Sequence, residues 1–370
     1  MLHSRPDTLA LPSQPDSGSP APPPPPARWT VLEVLRWTTS RFSQRGLGSP
    51  RLDAEVLAAH ALGVSRVQLY VQFDRPLEAT ELVALRELVK RRQGGESVAY
   101  ITGKKEFFGI ELNVDARVLV PRPDTETLVD ESLARVAALG ELGRPARIAD
   151  VGTGSGAVAI AIARTAAQSM TRAAAKAAAQ MTPTSLAASD GKVADQAMDP
   201  DAPDDRSRPT DEPTDGPPVR PPILRPALEV FASDLSPDAL AVARGNAARH
   251  GAAVTFVEGD LDQPLRAHAP FDLVAANLPY IPSADIAGLS AEVRAEPHLA
   301  LDGGGDGLAL VRRLVTAAPA LLRAGGSLAL EIGAGQAAAT AALLVAAGFT
   351  DVRLRRDLGD IDRVVSGVKA

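Results

Sequence analysis

Four consecutive residues, Asn277-Leu278-Pro279-Tyr280, have the side chains and backbone to hold a planar NH2 group. An amide or aromatic amine nitrogen is a poor nucleophile because its lone pair is delocalised. A catalyst must therefore accept hydrogen bonds from both N–H bonds while the nitrogen is alkylated. The side-chain oxygen of Asn277 is one acceptor, and the main-chain carbonyl of Leu278 is suited to be the second. Pro279 keeps Leu278 out of the helical region, which aims that carbonyl outward. Tyr280 offers a ring face for the planar group to lie against. No strong base is needed, since the nitrogen sheds its proton readily once alkylated, so positioning and electrostatic complementarity carry the rate. Taken alone, the tetrapeptide also suits an ordinary turn leaving a strand.

A second constellation concerns what would bring the alkyl group. Asp150-Val-Gly152-Thr153-Gly154-Ser155-Gly156 follows an apolar run and precedes a helical pattern. Glycines there let the chain turn sharply and let a ligand approach closely. The spacing is G-x-G-x-G, not the G-x-G-x-x-G of dinucleotide binders, whose pyrophosphate needs helix N-terminal N–H groups. S-adenosylmethionine has no phosphate and fits the shorter turn. Asp150 is placed to hold its amino group by a charge-assisted bond. Two further acids follow the next two apolar runs. Asp234 is suited to the ribose hydroxyls, and Asp260, followed by Leu261, to the adenine end. A tight turn without a ligand is the competing reading of the glycines; three acids at three successive strand ends are more specific.

These residues need a scaffold. Strands are expected at Arg147–Val151, Leu228–Ser233, Val254–Val257, Phe271–Ala276, Ser327–Glu331, Val352–Leu354 and Arg363–Val365, alternating with helices such as Pro237–His250 and Leu308–Leu322. Such alternation predicts an α/β fold with a doubly wound, mostly parallel sheet, whose carboxyl edge receives ligands. Upstream, residues 29–95 have helical periodicity (Val31, Val34, Leu35, then Leu57, then Leu85 and Val89) and read as a small helical domain. The span 96–120 reads as a hairpin linker, with two strands around a Gly-Lys turn within Tyr100–Val114. Thr125 is expected to cap a helix reaching Ala138. Residues 121–370 form the catalytic domain, interrupted at about 166–226 by an Ala-rich and then acidic, proline-rich stretch that reads as a disordered insertion. Residues 1–28, with five prolines from Pro22 to Pro26, read as a disordered tail.

Composition closes off other chemistries. The chain of 370 residues has no cysteine, which excludes disulfides, thiolate metal sites and cysteine nucleophiles. Its five scattered histidines form no metal-binding pair. The net charge is −6, and the segment Asp190–Gly216, with nine acids and three bases, accounts for all of it. The near-neutral remainder does not favour indiscriminate nucleic-acid binding. No apolar run approaches the roughly 20 residues of a membrane span, so the cytoplasm is expected.

Together these residues resemble the release factor glutamine methyltransferase family. The resemblance spans roughly Leu52 to Gly367. It rests on Tyr100-Ile-Thr-Gly, Glu106-Phe-Phe-Gly, Val120-Pro-Arg-Pro-Asp-Thr-Glu126, the glycine turn, Ala276-Asn-Leu-Pro-Tyr-Ile281, Glu296-Pro-His-Leu-Ala-Leu301, Gly305-Asp-Gly-Leu308, Glu331-Ile-Gly333 and Asp362-Arg-Val-Val365. It implies a class I methyltransferase (Rossmann-like) fold with a seven-stranded sheet, and S-adenosylmethionine held by Gly152 to Gly156 and Asp234. It further implies a glutamine substrate held by Asn277 to Tyr280, with Arg122, Glu296 and Pro297 on the substrate side. The glutamine implied is that of the Gly-Gly-Gln loop of class-1 release factors, gripped in part by the helical domain; neither metal nor membrane is implied. Three features depart from the family pattern. Leu278 stands where the family usually has proline, which predicts a less rigid loop and keeps nucleic-acid adenine N(6)-methylation as the alternative. Leu261 replaces a frequent aromatic residue. The acidic insertion and proline-rich tail match nothing in the family.

Overall fold

The computed structural model describes residues 29–140, 142–180 and 227–370. The expected disordered tail and most of the expected insertion lie outside the described residues. The chain divides at Gly94–Gly95 into two compact units.

Among its described residues the first unit contains four helices, α1 (Val31–Gln44), α2 (Pro50–Leu62), α3 (Arg66–Val71) and α4 (Ala79–Gln93). Reciprocal capping boxes start α1 and α3, Thr30 with Glu33 and Ser65 with Gln68, satisfying first-turn N–H groups that have no partner inside the helix. The apolar periodicity becomes the core: Val34, Leu35 and Phe42 of α1, Leu57 of α2, and Leu85 and Val89 of α4 are buried. An Asp53–Arg92 ion pair at 2.8 Å, buried on both sides, ties α2 to α4.

The second unit opens with a short helix, α5 (Val98–Thr102), capped by Ser97 and ended by Gly103 at φ 70°. The hairpin is β1 (Lys104–Phe107) and β2 (Ile110–Asn113), turning at Phe108 and Gly109 with φ of 49° and 69°. Here the structure corrects the sequence reading: Tyr100–Thr102 is helical and the reversal is at Phe-Gly, not Gly-Lys. The Ser97 cap and left-handed Gly103 enclose one helical turn, and a two-residue hairpin of type I′ needs positive φ at both central positions, as Phe108 and Gly109 have. A 3-10 turn, Pro123–Thr125, then enters α6 (Glu126–Ala138). Thr125 makes no side-chain cap there, against expectation, because its hydroxyl is engaged elsewhere.

Strand and helix then alternate: β3 (Ala146–Val151), α7 (Ala157–Gln180), β4 (Leu228–Asp234), α8 (Pro237–His250), β5 (Val254–Glu258), β6 (Phe271–Ala276), α9 (Ala291–Arg294), α10 (Ala309–Leu321), β7 (Leu322–Glu331), α11 (Ala337–Ala346), β8 (Phe349–Arg356) and β9 (Asp362–Lys369). α7 continues to Gln180, past the point near residue 166 where the insertion was expected to begin. Alanine has the highest helix propensity, and the Ala-rich run prolongs the helix. Despite the long connection, β3 and β4 pair in parallel from Ala146↔Leu228 to Val151↔Ser233.

The seven strands lie in the order β5-β4-β3-β6-β7-β9-β8, and β9 alone runs opposite to the rest. Helices cover both faces, so the strands are continuously apolar and sort alternate residues to opposite layers. On β6, Leu273 and Ala275 join the core that includes Leu128 and Leu133 of α6 and Ile160 of α7. Val274 and Ala276 join the core built with Val311, Leu314 and Val315 of α10. The chain leaves β3 towards β4 on one side and later places β6 on the other. A crevice therefore opens at the carboxyl ends of β3 and β6, where strand order reverses.

Candidate active site

The glycine turn sits at the carboxyl end of β3. Gly152, Gly154 and Gly156 all have positive φ, between 54° and 83°. A Cβ on Gly156 would stand 2.9 Å from Ile160 Cδ1 and 3.2 Å from Ala243 Cβ, so this glycine permits close packing of α7 and α8. At Gly154 a Cβ would meet nothing within 4 Å, since that residue borders a cavity. The turn is held from both flanks. Asp150 is buried and accepts bonds from Thr153 Oγ1 (2.7 Å) and the Ala159 N–H (3.2 Å). Burial pushes its carboxyl up to about 6. Asp234, ending β4, accepts the Gly154 N–H (2.8 Å) and the Ser236 N–H (2.9 Å), and burial raises its pKa despite those bonds. Asn246 on α8, fully buried, donates to the Ser155 carbonyl at 2.9 Å and pairs with both the N–H and carbonyl of Asn113, fastening the turn to the hairpin.

The cavity beside the turn has a volume of about 390 Å³, within the usual range for small-molecule sites. Gly152, Gly154, Asp234, Asp260, Leu261, Asn277, Leu278, Pro279 and Pro297 were all expected at a site, and all line this one cavity. Asp150, Thr153, Ser155, Gly156, Tyr280, Arg122 and Glu296 do not line it. Asp260 is bridged at 2.5 Å by Arg313 of α10, a cavity residue with no signal in the sequence. Leu261, at φ 49°, turns its side chain into the wall. Glu296 is buried and accepts from Arg122 (2.6 Å) and the Val120 N–H (3.2 Å), tying the Pro-Arg-Pro segment to the Glu-Pro-His segment.

β6 delivers the tetrapeptide to the cavity's other wall. Leu278 is buried, and its Cδ2 would lie 3.4 Å from a Cβ on Gly152, so the leucine packs on the glycine turn. That contact restrains a loop expected to be less rigid without a second proline. The Asn277 Nδ2 donates to Thr125 Oγ1 at 3.1 Å. Tyr280 lies against Gly333, where a Cβ would be 3.1 Å from its Cδ2, and its carbonyl accepts from Gln336 Nε2 at 3.0 Å. Burial, and then the Glu331 charge, push the Tyr280 hydroxyl up to about 12. Gly303 and Gly307 press from the other side: a Cβ on the first would stand 2.7 Å from the Pro279 carbonyl oxygen. Beyond the tetrapeptide, Ile281 bonds to the Leu301 carbonyl and the Gly303 N–H, which fixes its exit.

Sequence reasoning missed Thr125, Glu331, Gln336, Gly303 and Gly307. The glycine run and the acid ending β7 were visible, but nothing in their local pattern says what they touch. Glu331 is 1% exposed, and neither carboxylate oxygen has a partner of good hydrogen-bond geometry among the described residues. Burial pushes this carboxyl up to about 7, while Thr125, Arg363 and Asn277 favour its charged form.

This strand order, with a reversed penultimate strand in the sheet, a glycine turn ending the central strand and a carboxylate ending its neighbour, defines a class I S-adenosylmethionine-dependent methyltransferase. The lining fits that cofactor: the turn leaves room where a Cβ would intrude, and the Asp234 carboxylate stands at the wall. The chain belongs to the release factor glutamine methyltransferase family. Release factor glutamine methyltransferases from Geobacter sulfurreducens and Chlorobaculum tepidum are 37% and 36% identical to it. The alignments cover 92% and 91% of this chain and 98% and 97% of those proteins. A third, from Rhodopirellula baltica, is 34% identical over 92% of this chain and 97% of its own length. The PrmC N-terminal domain model matches residues 33–103, and a methyltransferase domain model matches 222–296. No helix of the described residues is long and apolar enough to cross a membrane.

Proposed function

We propose that this enzyme methylates the side-chain amide nitrogen of the glutamine in the Gly-Gly-Gln loop of class-1 release factors. The observation that carries the reading is that Asn277 and the glycine turn face one cavity across the switch point of the sheet. S-adenosylmethionine supplies an electrophilic methyl group there. The glutamine NH2 is held by two oxygens, Asn277 Oδ1 and the Leu278 carbonyl, which draw on its N–H bonds and return electron density to nitrogen. Transfer would form the carbon–nitrogen bond as the carbon–sulfur bond breaks, leaving the neutral thioether S-adenosylhomocysteine, and the alkylated nitrogen would give up its proton to solvent. Pro279 and the buried Leu278 side chain keep the second acceptor in place. Tyr280, clamped through its carbonyl by Gln336, fixes the end of the turn that carries the two acceptors. Asp150 acts through the turn it braces, and Asp234 acts directly on the ribose. The Arg122–Glu296 pair shapes the substrate side without touching the amide.

The test is to incubate the enzyme with methyl-labelled S-adenosylmethionine and a release factor, then locate the label by mass spectrometry. Label on the loop glutamine supports the reading; label confined to adenine of added RNA or DNA overturns it. The cofactor assignment has its own check. Asp234→Asn removes a charged acceptor and should weaken S-adenosylmethionine binding about 10- to 100-fold by calorimetry. An unchanged Kd would remove Asp234 from the cofactor site.

A further inference from the structure

Asparagine can present either its oxygen or its NH2 to a cavity, because the two ends have nearly the same shape. For Asn277 the difference is decisive: an NH2 facing the substrate would meet another donor. Its Nδ2 donates to Thr125 Oγ1 at 3.1 Å, but a threonine hydroxyl both donates and accepts, so this contact alone does not choose. A chooser must be a group that only accepts. β7 lies beside β6 with Ala276 opposite Leu330, so Asn277, the residue after β6, stands next to Glu331, the last residue of β7. Glu331 is buried there with both oxygens lacking well-formed partners, a costly state unless it has a function or a nearby donor.

We propose that Glu331 and Thr125 act as an orientation lock that turns the Asn277 amide so that its oxygen faces the substrate. It rests on the reading above that Asn277 Oδ1 receives a substrate N–H. The Glu331 carboxylate accepts a hydrogen bond from the Thr125 hydroxyl. The Thr125 oxygen then has only lone pairs to offer, and Asn277 must turn Nδ2 towards it. Oδ1 is left for the cavity. Glu331 and Thr125 are positioning residues; neither reaches the reacting nitrogen.

Glu331→Gln keeps the volume but adds a donor. Its NH2 can donate to Thr125, whose hydroxyl then donates to Asn277 Oδ1 and reverses the amide. The expected result is a loss of about 100-fold in kcat, with the Kd for S-adenosylmethionine and the melting temperature close to wild type. Thr125→Val should lose a similar factor, Thr125→Ser should keep nearly full activity, and combining Thr125→Val with Glu331→Gln should add little. The charged and titratable groups facing Glu331 are Arg363 on β9, Asp124 before α6 and Tyr280 after β6. With its carboxyl at about 7, wild-type turnover should rise with pH through that value, and Glu331→Gln should lose the rise. A readout independent of turnover separates this lock from the substrate assignment. By NMR, the Asn277 side-chain NH2 protons should exchange about tenfold faster in Glu331→Gln than in the wild type. Equal exchange rates, or a folded Glu331→Gln with wild-type kcat, would overturn the lock and leave the glutamine assignment standing. Altered exchange without methylation of any release factor would sustain the lock and sink that assignment.

Discussion

Asn277→Ala should turn over release factor about 100 to 1,000 times more slowly while binding S-adenosylmethionine within about threefold of the wild type. The expectation follows from where the residue acts. Its side chain stands at the end of β6, on the wall that faces the glycine turn. The turn itself is braced by Asp150, Asp234 and Asn246, none of which depends on Asn277. Removing the side chain therefore takes away one of two acceptors for the reacting NH2 and leaves the cofactor cradle unaltered. The loss should appear in kcat, because that interaction strengthens as the nitrogen becomes positive during transfer. Single-turnover kinetics with calorimetry on the same preparation separates the two effects. Wild-type turnover in the variant, or a deficit explained wholly by weaker cofactor binding, would remove Asn277 from the chemistry.

Gly307→Ala should cut kcat/KM by at least about 100-fold, although Gly307 carries no functional group. Two penalties coincide at this residue. Its φ is 75°, a region in which alanine is strained by roughly 1–2 kcal/mol. Its Cβ would also overlap the Tyr280 carbonyl oxygen and come within 2.7 Å of Gln336 Nε2, the two atoms that hydrogen-bond to each other. The tetrapeptide must move to admit the methyl group, and its acceptors move with it. Cofactor affinity should survive, because Gly307 touches the tetrapeptide and not the glycine turn. Gly305→Ala, two residues away, supplies the control. A Cβ there meets nothing within 4 Å, so activity and melting temperature should match the wild type. Equal activity in the two variants would mean that the Tyr280 carbonyl clamp does not fix the site.

The catalytic unit was legible in the chain for a local reason. A strand buried on both faces must be a short apolar run, and Phe271–Ala276 coincides end to end with β6. The residues that follow such runs fall on the carboxyl edge without any knowledge of the rest of the fold. Boundaries failed where a stop signal competed with a pattern. At Tyr100–Thr102 the Ser97 cap and Gly103 outweighed an apparent strand period. Along α7 the alanines carried the helix beyond the expected break. Thr125 illustrates a third kind of miss. It has the position and chemistry of a cap, yet its hydroxyl meets Asn277, a residue 152 positions away in the chain.

The sequence by itself determined which groups are available and that they fall at strand ends: the glycines that can turn at positive φ, the carboxylates that follow three strands, and the Asn-Leu-Pro-Tyr that follows the fourth. These are properties of consecutive residues, set by backbone geometry and by burial of the strands before them. Only the tertiary structure decided which groups face the cavity and which are consumed in holding others. Asp150 and Asp234 look alike in the chain, but the first is buried in the turn and the second stands at the wall. The same holds for Glu331 and Gln336, which meet the tetrapeptide because β7 lies beside β6, and for Gly303 and Gly307, which reach it through the loop that bridges Asp302 to Ile281. Hydrogen bonds and contacts of this kind act over about 3–4 Å, and which atoms come that close depends on how distant segments pack.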